Sequence, residues 1–292
     1  MDKIPAGFFG IIGLVIGSFL NVCIYRIPKG ESLAWPGSHC PKCGKGLKPA
    51  DLVPVFSYLM LKGRCRTCGI RIPARYPLVE AVTGLAFLWA AHAAAGSPLN
   101  FANYIIFLSG LIVIFFIDLD YLIIPDRIAL PMLVIGLAMA AFIRQDGHTV
   151  FYDRLGAAAA GFAAFFLIAW GGAYLLRFEE KLAMEIGSSL LFMKVFYKGD
   201  GDVERDAMGG GDIKLAAMMG AFLGLKLLAT GLFLSFLIGS AVSVGLMATG
   251  RKGAKDAVPF GPMMAAGGIL ALIKGTEIIN WYAGFMAKLW GL

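Results

Sequence analysis

The sequence predicts an all-α polytopic integral membrane protein with about eight transmembrane helices and one polar loop domain on the cytoplasmic side. Of its 292 residues, 59% are hydrophobic and 15% are charged, and the mean hydropathy is +0.76. Soluble domains are about half apolar and a quarter charged, so a soluble enzyme, a disordered regulator and a secreted disulfide scaffold are excluded. The net charge of +7 indicates basic cytoplasmic loops, and no nucleic-acid partner is expected.

The predicted spans are apolar stretches close to the roughly 20 residues that a helix needs to cross a bilayer. They are residues 5–25, 78–95, 101–117, 128–143, 155–176, 213–228, 229–249 and 258–273. The division near Leu228 rests on length alone. The apolar tail from Glu277 onward, which contains Trp281, Tyr282 and Trp290, either extends the last span or lies at the membrane interface.

Positive charge predicts the orientation of the chain in the membrane. Residues 26–75 contain ten of the 26 basic residues and two acids, Glu31 and Asp51. This segment is therefore expected in the cytoplasm, with the N-terminus outside. The predicted organisation is a first transmembrane helix (1–26), a cytoplasmic loop with four cysteines (27–77) and a transmembrane core (78–292).

A second polar segment, residues 177–208, interrupts the predicted transmembrane core on the cytoplasmic side. It mixes both signs of charge and contains the apolar run 186–196, which is too short to span a bilayer. This run is expected to form an amphipathic interfacial helix. The insertion is interpreted either as a lid or as a substrate-docking helix, and its acidic residues between Glu179 and Asp206 are candidates for receiving a basic peptide.

The polar loop contains two C-x-x-C pairs, which are typical of a metal site. Cys40 and Cys43 form the first pair, and Cys65 and Cys68 form the second. Four thiolates suit a closed, structural Zn²⁺ site, and the glycines that follow each pair favour the required tight turns. Disulfides are the alternative, which a reducing cytoplasmic location disfavours. Because the loop is too small to build a large core, metal binding is expected to supply its folding free energy.

Two aspartates are predicted to lie at one level of the membrane. Asp118 ends a span that runs inward, and Asp212 in Gly209-Gly210-Gly211-Asp212 begins a span that runs outward. Two carboxyls held together at low dielectric share one proton. The ionised carboxylate can then activate a water, and the protonated one can donate to the scissile carbonyl.

An aspartate at a span end is also often a helix cap or an interfacial charge. The residues alone leave these two interpretations of Asp118 and Asp212 equally open. For Asp120 and Asp126 the cap or interfacial interpretation is preferred, with Asp126 capping a helix that begins near Arg127.

These motifs together resemble the bacterial type IV prepilin peptidases (prepilin leader peptidase / N-methyltransferase), which are GxGD-type intramembrane aspartyl proteases. The resemblance runs along nearly the whole chain. It is carried by residues 17–22, 25–28, the two cysteine pairs, 54–59, 63–66, 75–80, Ile117-Asp118 with Pro125-Asp126, 208–215 and 259–262.

The resemblance implies an endopeptidase of the bacterial inner membrane. Its substrates would be prepilins of type IV pili or pseudopilins of type II secretion, whose short basic leader is removed after a glycine on the cytoplasmic side. Asp118 and Asp212 match the family's catalytic pair. The lipid bilayer is the other expected partner, together with the pilus or secretion assembly machinery.

The resemblance also implies that the new N-terminus is methylated with S-adenosylmethionine. The chain lacks the G-x-G-x-x-G of a Rossmann domain, so any cofactor site must be built differently. Asn21, Arg26, Arg75 and Glu80 are polar groups near the boundary between loop and membrane and are candidate cofactor-binding residues. Interfacial anchors or ion pairs are the alternative for each of them.

Two other functional classes are alternatives to the peptidase. An ion-coupled transporter would use the aspartates for coupling, but such sites tend to lie near the membrane midplane. A non-catalytic zinc-loop scaffold would leave the aspartate pair without a role. Incubation with a prepilin distinguishes all three classes.

Overall fold

The computed structural model describes residues 5–145, 147–185, 209–250 and 258–290. Within these ranges most residues are helical. The helices are α1 (Ala6–Arg26), α2 (Phe56–Met60), α3 (Arg75–Ala93), α4 (Pro98–Tyr121), α5 (Asp126–Ala140), α6 (Phe151–Glu185), α7 (Gly210–Leu223), α8 (Leu225–Ala248) and α9 (Gly261–Trp290). A 3-10 helix, Pro49–Leu52, lies in the cysteine loop, and an antiparallel pair of two-residue strands, Arg144–Gln145 and His148–Thr149, follows α5.

Five helices of the described ranges, α1, α4, α6, α8 and α9, are long and apolar enough to cross a membrane. The protein is therefore a mostly helical, multi-pass membrane protein, as the composition predicts. Helices also occupy the remaining three predicted positions, as α3, α5 and α7. The total of eight spans stays a prediction.

Several predicted boundaries differ from the observed ones. The boundary between the two helices lies at Gly224, which has φ 75°, and not near Leu228. Glycine takes a positive φ readily, whereas leucine does not. The tail extends the last helix as far as Trp290, and α6 continues to Glu185. The expected interfacial helix at 186–196 lies outside the described residues.

Helices α1 and α3 pack closely side by side in antiparallel directions. A Cβ added to Gly13 would lie 2.7 Å from Phe87 Cβ, and one added to Gly17 would lie 2.7 Å from Glu80 Cα. Small residues at such an interface allow helix backbones to approach within a membrane. This pair therefore holds the two ends of the cysteine loop together.

The other long helices surround α7, whose residues 215–223 are all buried. Phe107 of α4 stacks on Phe222 of α7 with ring centroids 5.0 Å apart. The backbone of Gly220 lies against Ala157 of α6, where a Cβ would come within 2.5 Å of the Ala157 carbonyl carbon. Since α7 is fixed on these sides, the carboxyl of Asp212 in its first turn has a well-defined position.

Candidate active site

A cavity of about 810 Å³ is lined by both predicted catalytic aspartates, Asp118 and Asp212. Its other walls are the glycines 209–211, the segment 122–124 after α4, and Phe236 and Phe260. The tertiary structure thus brings together two residues that are far apart in the sequence. Asp126 and Lys214 also line the cavity. Two carboxyls in one cavity are the arrangement that shared-proton chemistry requires.

Asp118 lies in the last turn of α4 and is only 5% exposed. Its carboxyl lies against the backbone of Gly261, within reach of the N–H of that residue. Gly261 is the first residue of α9, so this N–H has no partner within its own helix. A Cβ at position 261 would lie 2.6 Å from Asp118 Oδ2, and glycine is therefore needed for the two to meet.

Asp212 is the third residue of α7, after the N-cap residue Gly209. Its carboxyl lies close to that glycine, with Oδ2 3.5 Å from where a Cβ of Gly209 would stand. A Cβ at Gly211 would come within 2.9 Å of Ile124 Cβ, whereas the space beside Gly210 is open.

Charged residues two positions after each aspartate form ion pairs with other helices. Lys214 Nζ lies 2.6 and 2.8 Å from the two carboxylate oxygens of Asp126, and Asp120 pairs with Arg75. The expected capping role of Asp126 is wrong, because the N-cap position of α5 is Pro125. Asp126 instead lies inside the helix and joins α5 to the helix of Asp212.

Gly261 and the Asp126–Lys214 pair are parts of this site that the sequence alone does not reveal. Both belong to motifs that were noted, at 259–262 and 208–215, but their partners are distant in sequence. One signal in the sequence was available: a charged residue follows each aspartate by two positions. Residues i and i+2 of a helix point in nearly opposite directions, so these charges were expected to meet a different helix from the one that the aspartates face.

The four cysteines of the loop form a compact cluster. Their Sγ atoms all lie within 4.8 Å of one another, and Cys40 Sγ and Cys68 Sγ are 3.8 Å apart. A tetrahedral Zn²⁺ site with bonds of about 2.3 Å places sulfurs about 3.8 Å from each other, so the cluster fits this metal. The cysteines are free, and the alternative of disulfides is not what the structure shows.

The two cysteine pairs have the same local backbone. The N–H of Gly44 donates to the carbonyl of Cys40, and that of Gly69 donates to Cys65, with φ of 68° and 70° at the two glycines. The backbone N–H groups of Cys43 and Lys42 lower the pKa of the Cys40 thiol to about 6. Such N–H groups stabilise a thiolate, which is the form that binds metal.

The four candidate cofactor residues are placed differently by the fold. Arg26 donates to the carbonyls of Ser32 and Pro36, and Glu80 accepts the N–H of Val55. These two side chains hold the cysteine loop on α1 and α3.

Asn21 and Arg75 each have one buried polar side-chain atom that the described part of the chain leaves without a hydrogen bond. These atoms are Asn21 Oδ1 and Arg75 Nε. An unpaired buried polar atom costs free energy, so these two atoms fit a site for a polar ligand. Cofactor binding by any of the four candidates stays a prediction.

Comparisons with known proteins agree along the length of the chain. The family model described as "Bacterial Peptidase A24 N-terminal domain" matches residues 11–94, and the one described as "Type IV leader peptidase family" matches residues 105–244. No solved structure matches the chain.

Curated relatives carry the name prepilin leader peptidase/N-methyltransferase. One from Bacillus subtilis is 35% identical over 93% of this chain and 95% of its own length. One from Aeromonas salmonicida is 32% identical over 96% and 95%, and one from Pseudomonas aeruginosa is 30% identical over 94% and 92%.

Proposed function

This chain belongs to the type IV leader peptidase family, and from that premise we propose that it is a membrane-embedded aspartic endopeptidase that removes the short basic leader of prepilins or pseudopilins. We further propose that it methylates the new N-terminus. The observation that supports the peptidase most directly is the cavity shared by Asp118 and Asp212.

In the proposed reaction the two aspartates work as a pair that shares one proton. The ionised carboxylate takes a proton from a water, whose oxygen bonds to the scissile carbonyl carbon. The protonated carboxyl donates to the carbonyl oxygen, which forms a tetrahedral intermediate. When that intermediate collapses, the C–N bond breaks and the leaving nitrogen takes the proton from the carboxyl that had deprotonated the water. The other carboxylate takes a proton from the diol hydroxyl as the C=O bond reforms, so the pair is restored.

The active site is proposed to face the cytoplasm. The Arg75–Asp120 ion pair ties the end of α4 to the start of α3, so the aspartates lie on the same side as the basic cysteine loop. Basic loops remain cytoplasmic in the inner membrane. A substrate with an apolar helix in the bilayer and a basic leader in the cytoplasm would be cut at this boundary, after a glycine as in the family.

Zn²⁺ is proposed to be structural, held by Cys40, Cys43, Cys65 and Cys68. With all four positions filled by protein, no position remains open for a substrate. S-adenosylmethionine would supply the methyl group when bound. Asn21 and Arg75, with their unpaired buried atoms, are the preferred residues among the four candidates for contacting it.

The test is incubation of the purified protein with a prepilin, followed by mass spectrometry of the products. Asp118→Asn and Asp212→Asn should abolish leader removal, while Glu277→Gln, which alters only an exposed pair with Lys274, should not. Complete leader removal by Asp212→Asn at normal protein levels would overturn the assignment. An ion-coupled transporter or a scaffold predicts no product from any of these proteins.

The same reaction with S-adenosylmethionine added tests the methyltransferase. The expected result is a product heavier by one methyl group, dependent on the added donor. Unmodified product from a protein that cleaves fully would overturn this half of the proposal.

A further inference from the structure

The short helix α2 in the cysteine loop has an exposed apolar surface. Phe56, Leu59 and Met60 are 60%, 65% and 69% exposed, and none of the five residues of α2, all of them described, is buried. Contiguous exposed apolar residues in a protein loop usually mark an interaction surface. The question is what covers this helix.

The contacts of α1 and α3 show the depth at which the cysteine loop ends. Asn21 Nδ2 donates to the carbonyl of Tyr76, at 3.0 Å. The start of α3 is thus level with Asn21, five residues before α1 ends at Arg26. At 1.5 Å per residue this is about 7 Å inside the end of α1. Gly7–Arg26 is an apolar span. The first residues of α3 therefore lie beside the interior of that span and not beyond its end.

The loop is attached to α3 deeper still. Glu80, one turn further along α3, accepts the N–H of Val55 at 2.7 Å. Val55 immediately precedes α2 and has φ 60°, a conformation that is rare for a β-branched residue. The buried carboxyl of Glu80 therefore holds the start of α2 beside the first turns of α3, at the level of the α1 span.

Three backbone N–H groups at the start of α2 are paired within the protein, as a lipid environment favours. The N–H of Val55 is satisfied by Glu80, that of Ser57 by the carbonyl of Val53, and that of Leu59 by the carbonyl of Val55. In hydrocarbon each unsatisfied group would cost several kcal/mol. The apolar surface of α2 is therefore compatible with acyl chains.

Two neighbouring features favour lipid over a protein partner. Leu78, on α3 between the two attachment points, is 52% exposed, so α3 also has an exposed apolar side chain where α2 is attached. Lys62 and Arg64 follow α2 and are exposed, as basic residues that meet anionic headgroups are.

We propose that α2 is a membrane-inserted anchor: Phe56, Leu59 and Met60 lie in the acyl-chain boundary of the leaflet on the cysteine-loop side. The cysteine module is then held on the bilayer by its own helix as well as by its two chain ends. This proposal does not depend on the peptidase activity.

The test uses the full chain in nanodiscs that contain one protein copy and phosphatidylglycerol. Leu59→Trp and Phe56→Trp are each added to the five native tryptophans, and Lys45→Trp, at an exposed position beside the first cysteine pair, is the matched control. The extra fluorescence over the parent protein is measured with lipids brominated on the acyl chains and with aqueous iodide.

The expected result is that brominated lipid removes at least half of the extra fluorescence at positions 56 and 59 while iodide has little effect, and that the control at 45 behaves in the opposite way. Quenching of positions 56 and 59 by iodide alone would place α2 in water and overturn the proposal. Protection from both quenchers would mean that protein covers α2, which also overturns it. The two positions serve as independent variants if one of them fails to fold.

Discussion

Replacement of Gly261 by alanine tests whether the backbone of α9 positions the carboxyl of Asp118. The added Cβ would lie 2.6 Å from Oδ2 and 3.0 Å from Cγ of Asp118, where ordinary contact begins near 3.4 Å. The carboxyl must therefore retreat by several tenths of an ångström, which moves it away from the N–H of Gly261. A hydrogen bond to a charged group is worth about 1.5–3 kcal/mol, so kcat for leader removal should fall roughly 10- to 100-fold.

The matched control is Gly210→Ala, which is also at the start of a helix and lines the same cavity but has open space where the Cβ would go. It should cleave prepilin within about threefold of the parent rate, since the change costs little in a helix. Initial rates are measured by mass spectrometry at saturating substrate, with thermal unfolding of both variants to show that they are folded. Equal kcat values for Gly261→Ala and Gly210→Ala would refute the reasoning.

Three further predictions follow from other contacts. Lys214→Asp and Asp126→Lys should each lower kcat by about five-fold or less, since this ion pair is partly exposed. The double variant, which restores the pair with the charges exchanged, should recover activity. An additive loss of kcat in the double variant would exclude a positioning role for the pair. Gly17→Ala should lower the melting temperature, because the Cβ meets the α3 backbone at a cost of about 1–3 kcal/mol, while Gly7→Ala, with open space, should not. The cysteine cluster should bind zinc more weakly as pH falls from about 8 to about 6, because ligation releases thiol protons. The affinity is measured by competition with a chelator. Binding that does not depend on pH would contradict a four-thiolate site.

The sequence was a good guide to the class of molecule and to the residues of the candidate site. The parity of the spans predicted that Asp118 and Asp212 lie at one level, and the cavity contains both. The spacing of the cysteines predicted a four-sulfur cluster, and the four Sγ atoms are within 4.8 Å. The family resemblance is confirmed by the matches along both halves of the chain.

Helix ends and packing partners were predicted less well. The break at Gly224 was missed because glycine is abundant in this chain and its backbone conformation is set by the helices on both sides. The role of Asp126 was wrong for a similar reason. Its partner, Lys214, comes from a helix whose position depends on the packing of α7 against α5 and α6.

By itself, the sequence determined that this is a membrane protein with a metal-binding type of loop, and it predicted that two distant aspartates come together. Those properties depend on composition, on the spacing of residues and on the order of the spans, all of which can be read directly from the sequence. The tertiary structure decided that the backbone of Gly261 lies against Asp118 and that Glu80 holds the start of α2. These contacts join segments far apart in the sequence, and they exist only because the helix backbones approach closely, which no local pattern specifies.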